Sequence, residues 1–375
     1  MKSGIYIHIP FCLQRCHYCD FYSTTDMSMT DAFVDACVME IEQRAEVFSA
    51  EYFDTIYFGG GTPSALKTAQ IDKIISAIYT HFKITDDAEV TLETNPDDVK
   101  AIKLHDWKKI NINRLSIGIQ SFHDSDLKLM QRRHSAKEAI DGLNLAYSSG
   151  FENISADLIY GLPDLKADDW EDNLRIMKTL PISHLSAYHL TIEPGTVFNT
   201  WMKTDKIRMI NEEDSLKQYE MLCSYCEDDG YEHYEISNFA KNNLYSRHNI
   251  KYWQGDVYIG LGPSAHSFDG YKREWNPSSL KSYIELISAG KKITESENID
   301  KKTRRNELIM TGLRTQWGIS KQRWDTNDIQ SWQSFIEQCS KYLKSEDILL
   351  ESDNIRINPA SWFRADGIIA DLFIV

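Results

Sequence analysis

The chain lacks the hydrophobic stretches that a membrane-spanning protein needs. No part of its 375 residues approaches the run of about 18 apolar residues that indicates a membrane-crossing helix. Nor does its amino terminus show the charged and apolar regions of a cleavable secretion signal. We therefore expect a cytoplasmic protein without a transmembrane segment, and docking on a membrane partner stays open.

The sequence also has fewer basic residues than acidic ones. The sequence has 41 Lys and Arg against 56 Asp and Glu, which gives a formal net charge of −15. Such a surface repels phosphates, so the basic footprint of a nucleic-acid-binding protein is missing. One basic cluster, Lys301–Arg305, is more typical of a solvated helix start than of a partner site. We expect no nucleic-acid partner.

The sequence also lacks the even number of cysteines that a fully disulfide-bonded protein would have. Seven cysteines argue against a disulfide scaffold and for a reducing compartment. Cys223 and Cys226 stand at helical i, i+3 spacing, and Glu227 rather than a histidine follows them. That pattern does not match covalent attachment of a c-type heme, so we interpret the pair as structural.

Three other cysteines carry the strongest chemical signal. Cys12, Cys16 and Cys19 form a C-x3-C-x2-C pattern directly after an apolar stretch. Three such thiolates can hold three irons of a 4Fe–4S cluster and leave the fourth iron open to a small ligand. The alternative is a zinc site completed by His8 or His17, although zinc modules usually carry paired ligand loops.

Short β-rich segments alternate with amphipathic ones over the first 200 or so residues, which predicts right-handed βαβ units on a parallel sheet. The predicted strands are Ile5–Ile9, Thr55–Phe58, Glu89–Glu93, Arg114–Ile119, Ser155–Ile159 and His184–Leu190. The predicted helices are Asp31–Phe48, Ala65–Phe82, Asp98–Lys108, Ala136–Ser148 and Asp168–Thr179.

Polar residues at the ends of these strands decide between two architectures. They are Gly59–Thr62, Glu93, Gln120, Asp157 and Thr191. In an open sheet these residues would spread along one edge, whereas in a barrel the carboxyl ends of the strands converge on one face. We therefore predict a partial (β/α)6 barrel of the TIM type.

The rest of the chain predicts two further units. We assign residues 1–205 to the partial barrel, 206–299 to a barrel extension and 300–375 to a small helical, winged-helix-like domain. In the extension we predict helices over Glu212–Asp228 and Ser278–Ala289, with a loop carrying Arg247–Trp253 between them. In the last unit we predict helices over Thr303–Thr315, Asn327–Lys344 and Ser361–Leu372, and a hairpin of Ile348–Glu351 with Asn354–Ile357.

Several residues near the predicted strand ends could bind a ligand. Gly59–Gly61 would let a ligand approach the main chain closely. Glu93 and Asp157 could hold ribose hydroxyls or an ammonium group, or could simply be solvated strand ends. Arg132 would suit a carboxylate through charge-assisted hydrogen bonds.

His248 is the most informative residue outside the predicted barrel. A lone histidine is usually a surface residue, but Tyr252 and Trp253 follow it with flat rings that could stack on a macrocycle. Neutral imidazole is also the commonest protein ligand of heme iron. We interpret His248 as a candidate heme contact.

Six ordered motifs together resemble the coproporphyrinogen-dehydrogenase-like branch of the radical S-adenosylmethionine (SAM) superfamily. They are Tyr6–Cys19, Phe58–Pro63, Leu92–Pro96, Ser116–Phe122, Asp157–Pro163 and Tyr234–Phe239. Within this branch the chain is more similar to the heme-chaperone group than to the oxygen-independent coproporphyrinogen III oxidases. The oxidases carry a fourth cysteine where Phe21 stands here and a long extension before the first, and His248-Asn249-x2-Tyr252-Trp253 is typical of the chaperones.

The resemblance implies the following site. Cys12, Cys16 and Cys19 would bind the 4Fe–4S cluster, and the four motif residues His248, Asn249, Tyr252 and Trp253 would contact heme. Positions matching the cluster-linked SAM are Tyr6, Gly60, Glu93 and Asp157. Positions matching a second SAM of the oxidase are Tyr18, Gly61, Thr62, Gln120, Arg132 and Thr191.

The function implied is that of a heme chaperone, which passes heme to acceptor hemoproteins such as respiratory enzymes. The main alternative is an oxygen-independent coproporphyrinogen III oxidase, in which a radical formed from SAM drives oxidative decarboxylation. A zinc-bound interaction protein is the remaining, non-enzymatic alternative. The resemblance favours the chaperone over an enzyme.

Overall fold

A parallel sheet forms the centre of the molecule. The computed structural model describes residues 2–291, 294–325 and 328–374. Strands β1 to β6 pair in chain order, each parallel to the next, as in a (β/α) barrel. They are β1 (Ser3–Ile9), β2 (Tyr52–Gly60), β3 (Lys83–Thr94), β4 (Arg114–Gln120), β5 (Asn153–Tyr160) and β6 (His184–His189). All six predicted strands are present, and β3 begins six residues before its predicted start at Glu89.

Helices cover the outside of this sheet because their apolar faces need burial. They are α1 (Thr30–Arg44), α2 (Thr68–His81), α3 (Ala101–Lys109), α4 (Asp124–Leu129), α5 (Ala136–Ser148), α6 (Ala167–Met177) and α7 (Val197–Lys203). Helix α5 has the predicted bounds because Ser135 and Glu138 form a capping box at its start. Helices α4 and α7 were not predicted, since six or seven residues give too short a periodic pattern.

The middle of the chain extends the sheet at both edges, which the sequence did not predict in full. Its helices are α8 (Glu212–Asp228), α9 (Arg247–Gln254) and α10 (Leu280–Ser288). Its strands are β7 (Glu232–Glu235), β8 (Asn238–Ala240), β9 (Tyr258–Leu261), β10 (His266–Phe268), β11 (Lys272–Trp275) and β12 (Glu295–Asn298). Strand β9 pairs parallel with β1, and β8 pairs antiparallel with β6.

The barrel therefore stays open. Over the described part of the chain the strand order is β12-β11-β10-β9-β1-β2-β3-β4-β5-β6-β8-β7, so β12 and β7 are the two edges. The predicted loop over Arg247–Trp253 is wrong, because this segment is helix α9. Ser246 caps its start by accepting a hydrogen bond from the Asn249 N–H, and Gly255 ends it in the left-handed conformation.

The carboxyl-terminal part combines helices with a small sheet. Its helices are α11 (Lys301–Gly312), α12 (Lys321–Asp325), α13 (Ile329–Gln338), α14 (Ser340–Lys344) and α15 (Ala365–Asp371). Strands β13 (Ile319–Ser320), β14 (Ile348–Glu351) and β15 (Asn354–Ile357) form a sheet in the order β13-β15-β14, which contains the predicted hairpin.

Two helix predictions in this part need correction. The predicted helix Asn327–Lys344 divides at Cys339 into α13 and α14, and its first residue, Asn327, lies outside the described residues. The predicted helix Ser361–Leu372 begins as a 3-10 turn, Pro359–Arg364, before α15. The domain limits themselves stay predictions. Among the described helices, none combines the length and apolar character needed to cross a bilayer.

The lumen of the partial barrel is polar. Residues of β3, β4 and β5 that share one strand face include Thr91, Glu93, Arg114, Ser116 and Asp157, in the alternation expected of a strand. Barrels of this type are usually filled with branched apolar side chains. Polar groups in their place leave room for a cavity and supply it with hydrogen-bonding groups.

Close backbone packing at the β9–β10 turn generates the first prediction. A Cβ added at Gly260 would lie 2.1 Å from the carbonyl oxygen of His266, whereas one added at the exposed Gly367 of α15 would meet nothing within 4 Å. We expect Gly260→Ala to lower the free energy of unfolding by about 2 kcal/mol or more because backbone must shift. Gly367→Ala, the matched control, should leave it unchanged or raise it by up to about 1 kcal/mol. Urea denaturation measures both, and equal stabilities of the two variants would contradict the packing.

Candidate functional site

One cavity connects most of the residues singled out from the sequence. It has a volume of about 560 Å³ and reaches from the cysteine loop at the carboxyl ends of the strands into the lumen. Its lining includes the three cysteines and nine of the ten residues predicted to bind SAM: Tyr18, Gly60, Gly61, Thr62, Glu93, Gln120, Arg132, Asp157 and Thr191. The parallel sheet brings these residues together from all six strands, β1 to β6.

The cysteine loop is held against the glycine segment by backbone hydrogen bonds. Gly61 donates its N–H to the Ile9 carbonyl at 2.8 Å, and Thr62 donates to the Phe11 carbonyl at 2.7 Å. A Cβ at Gly61 would lie 2.8 Å from the Phe11 oxygen and 3.1 Å from the Cys12 sulfur. A larger residue at position 61 would collide with these two atoms. Glycine is therefore needed here if the Cys12 side chain is to keep its position beside the cavity.

The three thiols share this side of the cavity. The Thr62 hydroxyl donates to Cys12 Sγ at 3.5 Å, and Arg132 donates to Cys16 Sγ at 3.4 Å. Burial raises the pKa of the Cys12 thiol, and burial raises that of Cys19 to about 11 although a backbone hydrogen bond at Phe21 lowers it. Three soft sulfur donors facing one cavity, with Arg132 to offset thiolate charge, fit an iron–sulfur cluster.

The two histidines considered for the zinc alternative are hydrogen-bonded to other groups of the protein. Among the described residues no three His, Cys, Asp or Glu side chains, the three cysteines included, already stand as ligands around a single ion. The His17 ring is hydrogen-bonded to the Leu129 carbonyl through Nδ1 at 2.9 Å. The His8 ring bonds to the Tyr6 hydroxyl and the Tyr22 carbonyl, at 3.2 and 3.0 Å.

Two buried carboxyls lie deeper in the cavity. Glu93 accepts hydrogen bonds from the Tyr57 hydroxyl at 2.8 Å and the Gly60 N–H at 3.2 Å. Burial raises the pKa of Glu93 from 4.5 to about 7 and that of Asp157 from 3.8 to about 6. The Ser116 hydroxyl donates to Asp157 at 3.3 Å. Near neutral pH these carboxyls can therefore take up or lose a proton when a charged ligand enters.

The remaining predicted SAM residues differ in their positions. Arg132 is anchored by bonds to Asn95 at 2.6 Å and to the Gly118 carbonyl at 2.7 Å. Gln120 is buried and has a left-handed backbone, with φ of 68°. Thr191 is exposed at the rim, whereas Tyr6 does not line the cavity and packs behind Tyr57 at a ring distance of 6.2 Å.

The predicted heme residues lie at the other end of the lumen, on α9. His248 is 1% exposed, its Nδ1 is 2.9 Å from the Thr55 hydroxyl, and its Nε2 is 2.9 Å from the Tyr252 hydroxyl. Burial lowers the pKa of His248 to about 3, so the ring is neutral. Of the four motif residues, Asn249 lines the cavity, whereas His248, Tyr252 and Trp253 do not. Both nitrogens of His248 are therefore engaged in this conformation.

Several lining residues were not predicted from the sequence. Arg114, Ser116 and Ser186 sit in the lumen wall together with Tyr57, which holds Glu93. The available signal was the alternation of polar residues inside otherwise apolar strands, as in Glu89, Thr91 and Glu93. From the sequence, only polar residues at the ends of predicted strands were considered as ligand-binding candidates. Residues in the middle of strands were therefore missed.

The raised pKa of Glu93 predicts a pH effect on stability. Between pH 4.5 and about 7 the unfolded carboxyl is ionised while the folded one keeps its proton. The unfolded state then binds fewer protons, so the free energy of unfolding should fall as pH rises through this window. Glu93→Gln should flatten that fall, and exposed Glu46→Gln should not. Denaturant titrations at intervals of pH test this, and parallel curves for all three proteins would contradict it.

Comparison with known proteins gives a consistent result. Residues 6–177 match the radical SAM superfamily. The chain is 35% identical to the heme chaperone HemW of Bacillus subtilis over 94% of each chain. It is 31% identical to HemW of Lactococcus lactis, over 95% of this chain and 93% of that one. It is 30% identical to radical S-adenosyl methionine domain-containing protein 1, mitochondrial, of Danio rerio, over 87% of this chain and 76% of that one.

A solved structure shares the fold. Coproporphyrinogen III oxidase (HemN) from Escherichia coli, described as a radical SAM enzyme, superposes with a TM-score of 0.86 at 21% identity, over 99% of this chain and 90% of that one. The predicted radical SAM partial barrel is thereby confirmed. Since a relative 35% identical spans 94% of both chains, the chain belongs to the HemW family of heme chaperones within the radical SAM superfamily.

Proposed function

We propose that this chain is a cytoplasmic heme chaperone that binds a 4Fe–4S cluster, SAM and heme, and transfers heme to acceptor hemoproteins. The observation that carries the proposal is a single cavity lined at one end by the three cysteines and at the other by Asn249 of the His248–Trp253 motif. Membership of the HemW family supports it. Respiratory hemoproteins are the acceptors that we expect.

Cys12, Cys16 and Cys19 would hold the cluster, whose open iron would supply a binding position for SAM. The side chains around the cavity would then each bind a different part of the ligand. Glu93, held in place by the hydrogen bond that the Gly60 N–H donates to it, would accept hydrogen bonds from a ligand ammonium. Asp157 would accept from hydroxyl groups, and its hydrogen bond from Ser116 keeps the carboxylate in place.

Charge and shape complete this binding site. Arg132, held by Asn95 and Gly118, would pair with a ligand carboxylate and offset thiolate charge at Cys16. Tyr18 would shield the cysteine side of the cavity from water, since its ring packs against the core. Phe21 is 64% exposed at the cavity rim. It stands where the oxidases carry a fourth cysteine, which favours the chaperone function.

Heme binding by His248 requires a local rearrangement. The imidazole is neutral and thus ready to donate an electron pair, but Nε2 is bonded to the Tyr252 hydroxyl. Iron would have to replace that hydroxyl as the partner of Nε2, while Thr55 continues to orient the ring through Nδ1. The rings of Tyr252 and Trp253 would then be free to contact the macrocycle.

Two substitutions in the motif test this arrangement. Tyr252→Phe removes the competing hydrogen bond but keeps the ring, so we expect heme affinity to rise about fivefold, the equivalent of one hydrogen bond. His248→Ala should lose most of the affinity and the absorbance spectrum of a histidine-ligated heme. Heme titration of the purified full-length proteins measures both. Unchanged affinity and spectrum in both variants would show that His248 is not the ligand.

A second prediction concerns the cluster. Gly61→Ala should displace Cys12, because the added Cβ meets the Phe11 oxygen and the Cys12 sulfur. After anaerobic reconstitution with iron and sulfide, we expect at least a threefold loss of bound iron, whereas Gly367→Ala should bind as much as wild type. Equal iron content in the two variants would contradict the prediction.

The same reconstituted protein separates the chaperone from the oxidase. Supplied with SAM, an electron donor and coproporphyrinogen III, it should form no protoporphyrinogen at steady turnover, but it should transfer heme to an apo-hemoprotein. Sustained decarboxylation without heme transfer would favour the oxidase instead.

A further inference from the structure

One tyrosine contacts both ends of the proposed ligand site. Tyr57 lies on β2, is 8% exposed and lines the cavity. Its hydroxyl donates a hydrogen bond to Glu93 Oε1 at 2.8 Å. Its ring stacks on the ring of His248, with the centroids 5.2 Å apart and the planes at 27°. Tyr57 therefore joins the carboxyl proposed to bind a ligand ammonium with the imidazole proposed to bind heme.

The alternation of residues along β2 explains this arrangement. Thr55, Tyr57 and Gly59 are two residues apart, so they face the same side of the strand. The Thr55 hydroxyl is 2.9 Å from Nδ1 of His248, and the Tyr57 ring packs against the same imidazole. One strand thus fixes this imidazole both by a hydrogen bond at its edge and by a ring beside its face.

Space around the contact between Tyr57 and Glu93 is limited. A Cβ added at Gly59 would lie 2.9 Å from Cε1 of Tyr57 and 3.0 Å from Oε1 of Glu93. The Tyr6 ring packs behind, with its centroid 6.2 Å from that of Tyr57 and 6.3 Å from that of His248. A displacement of the Tyr57 ring would therefore disturb its contacts with both of these rings.

A cationic ligand at Glu93 would strengthen this series of contacts. Burial raises the pKa of Glu93 to about 7, so near neutral pH a large share of this carboxyl is protonated. Burial also raises the pKa of Tyr57 well above its ordinary value, so the hydroxyl keeps its proton for the hydrogen bond. A ligand ammonium favours the ionised carboxylate. A hydrogen bond to a carboxylate is roughly twice as strong as one to a neutral group, so Tyr57 would be held more firmly.

A firmly held Tyr57 would in turn favour heme binding. When iron replaces the Tyr252 hydroxyl at Nε2, the imidazole of His248 should keep its orientation, with Nδ1 on the Thr55 hydroxyl. A fixed Tyr57 ring beside the imidazole restricts the rotation of that ring. Less conformational freedom is then lost when heme binds, and such preorganisation raises affinity.

We propose that Tyr57 is a positioning residue that links ligand binding at Glu93 to heme binding at His248, so that each ligand raises the affinity for the other. The link rests on the proposed function, which takes Glu93 as the acceptor of the SAM ammonium and His248 as the heme ligand. Because coupling between two sites is reciprocal, SAM and heme should change each other's dissociation constants by the same factor.

The test is a heme titration of the full-length protein, reconstituted anaerobically with iron and sulfide, with and without SAM and without an electron donor. We expect SAM to lower the heme dissociation constant of wild type about fivefold. Tyr57→Phe keeps the ring but removes the hydroxyl, so its two dissociation constants should be equal. Tyr283→Phe is the matched control and should keep the wild-type ratio. The Tyr283 hydroxyl also donates to a buried carboxyl, that of Glu40, at 2.7 Å, but Tyr283 does not line the cavity.

The ratio of the two dissociation constants separates positioning from a merely structural role. If Tyr57→Phe weakens the binding of both ligands but keeps the wild-type ratio, Tyr57 only supports the fold, and the proposal is overturned. Equal constants with and without SAM, in a wild-type protein that binds both ligands, would also overturn it while leaving the proposed function intact. A wild-type protein that binds no heme would refute the proposed function, and the link with it.

A measurement without either ligand tests the contacts themselves. Nuclear magnetic resonance of protein with isotope-labelled histidine reports the ring nitrogens of His248, whose signals are identified by their loss in His248→Ala. Glu93→Ala removes the acceptor of the Tyr57 hydroxyl, so we expect it to shift the His248 signals. The same substitution added to Tyr57→Phe should leave the signals of that variant unchanged. Signals that move equally in both backgrounds, or in neither, would overturn the link through Tyr57.

Discussion

Parallel pairing of β1 to β6 is the constraint on which the rest of the structure depends. Because the six strands run in the same direction, their carboxyl ends all open on the same face, and the loops after them meet there. The loop after β1 brings the cysteines, and the end of β2 brings Gly60 and Gly61. Two backbone hydrogen bonds past the strand ends, from Gly61 and Thr62, then lock these loops together.

The second consequence of the sheet is a lumen rich in polar groups. Since side chains alternate between the two faces of a strand, a strand that is apolar outside can be polar inside. Burial then raises the pKa of Glu93 and Asp157, and the nearby charge of Arg114 offsets only part of this effect. Such a lumen is poorly suited to stabilise the fold by itself, and its composition is better explained by ligands than by packing.

Helix α9 closes this lumen and connects it to the rest of the molecule. Glu89 accepts the N–H groups at its start, and Arg323 of the carboxyl-terminal part donates to the Trp253 carbonyl near its end at 3.0 Å. A buried hydrogen-bonded chain also leads from Ser155 beside Asp157 through His184 and Tyr234 toward Ser246, the cap of α9. The motif helix is therefore in contact with both the cavity wall and the last structural unit.

The sequence by itself determined the chemistry and the order of the elements. The cysteine spacing, the glycine segment and the strand–helix alternation are local patterns, so they could be interpreted without coordinates, and the predicted strands β1 to β6 are all present. Only the tertiary structure decided which residues that are far apart in the sequence come into contact. His248 is buried against Thr55 although 193 residues separate them, and Arg114 lies close enough to Glu89, Glu93 and Asp157 to lower the pKa of each carboxyl. Such facts depend on which segments pack together, and no local pattern carries that information.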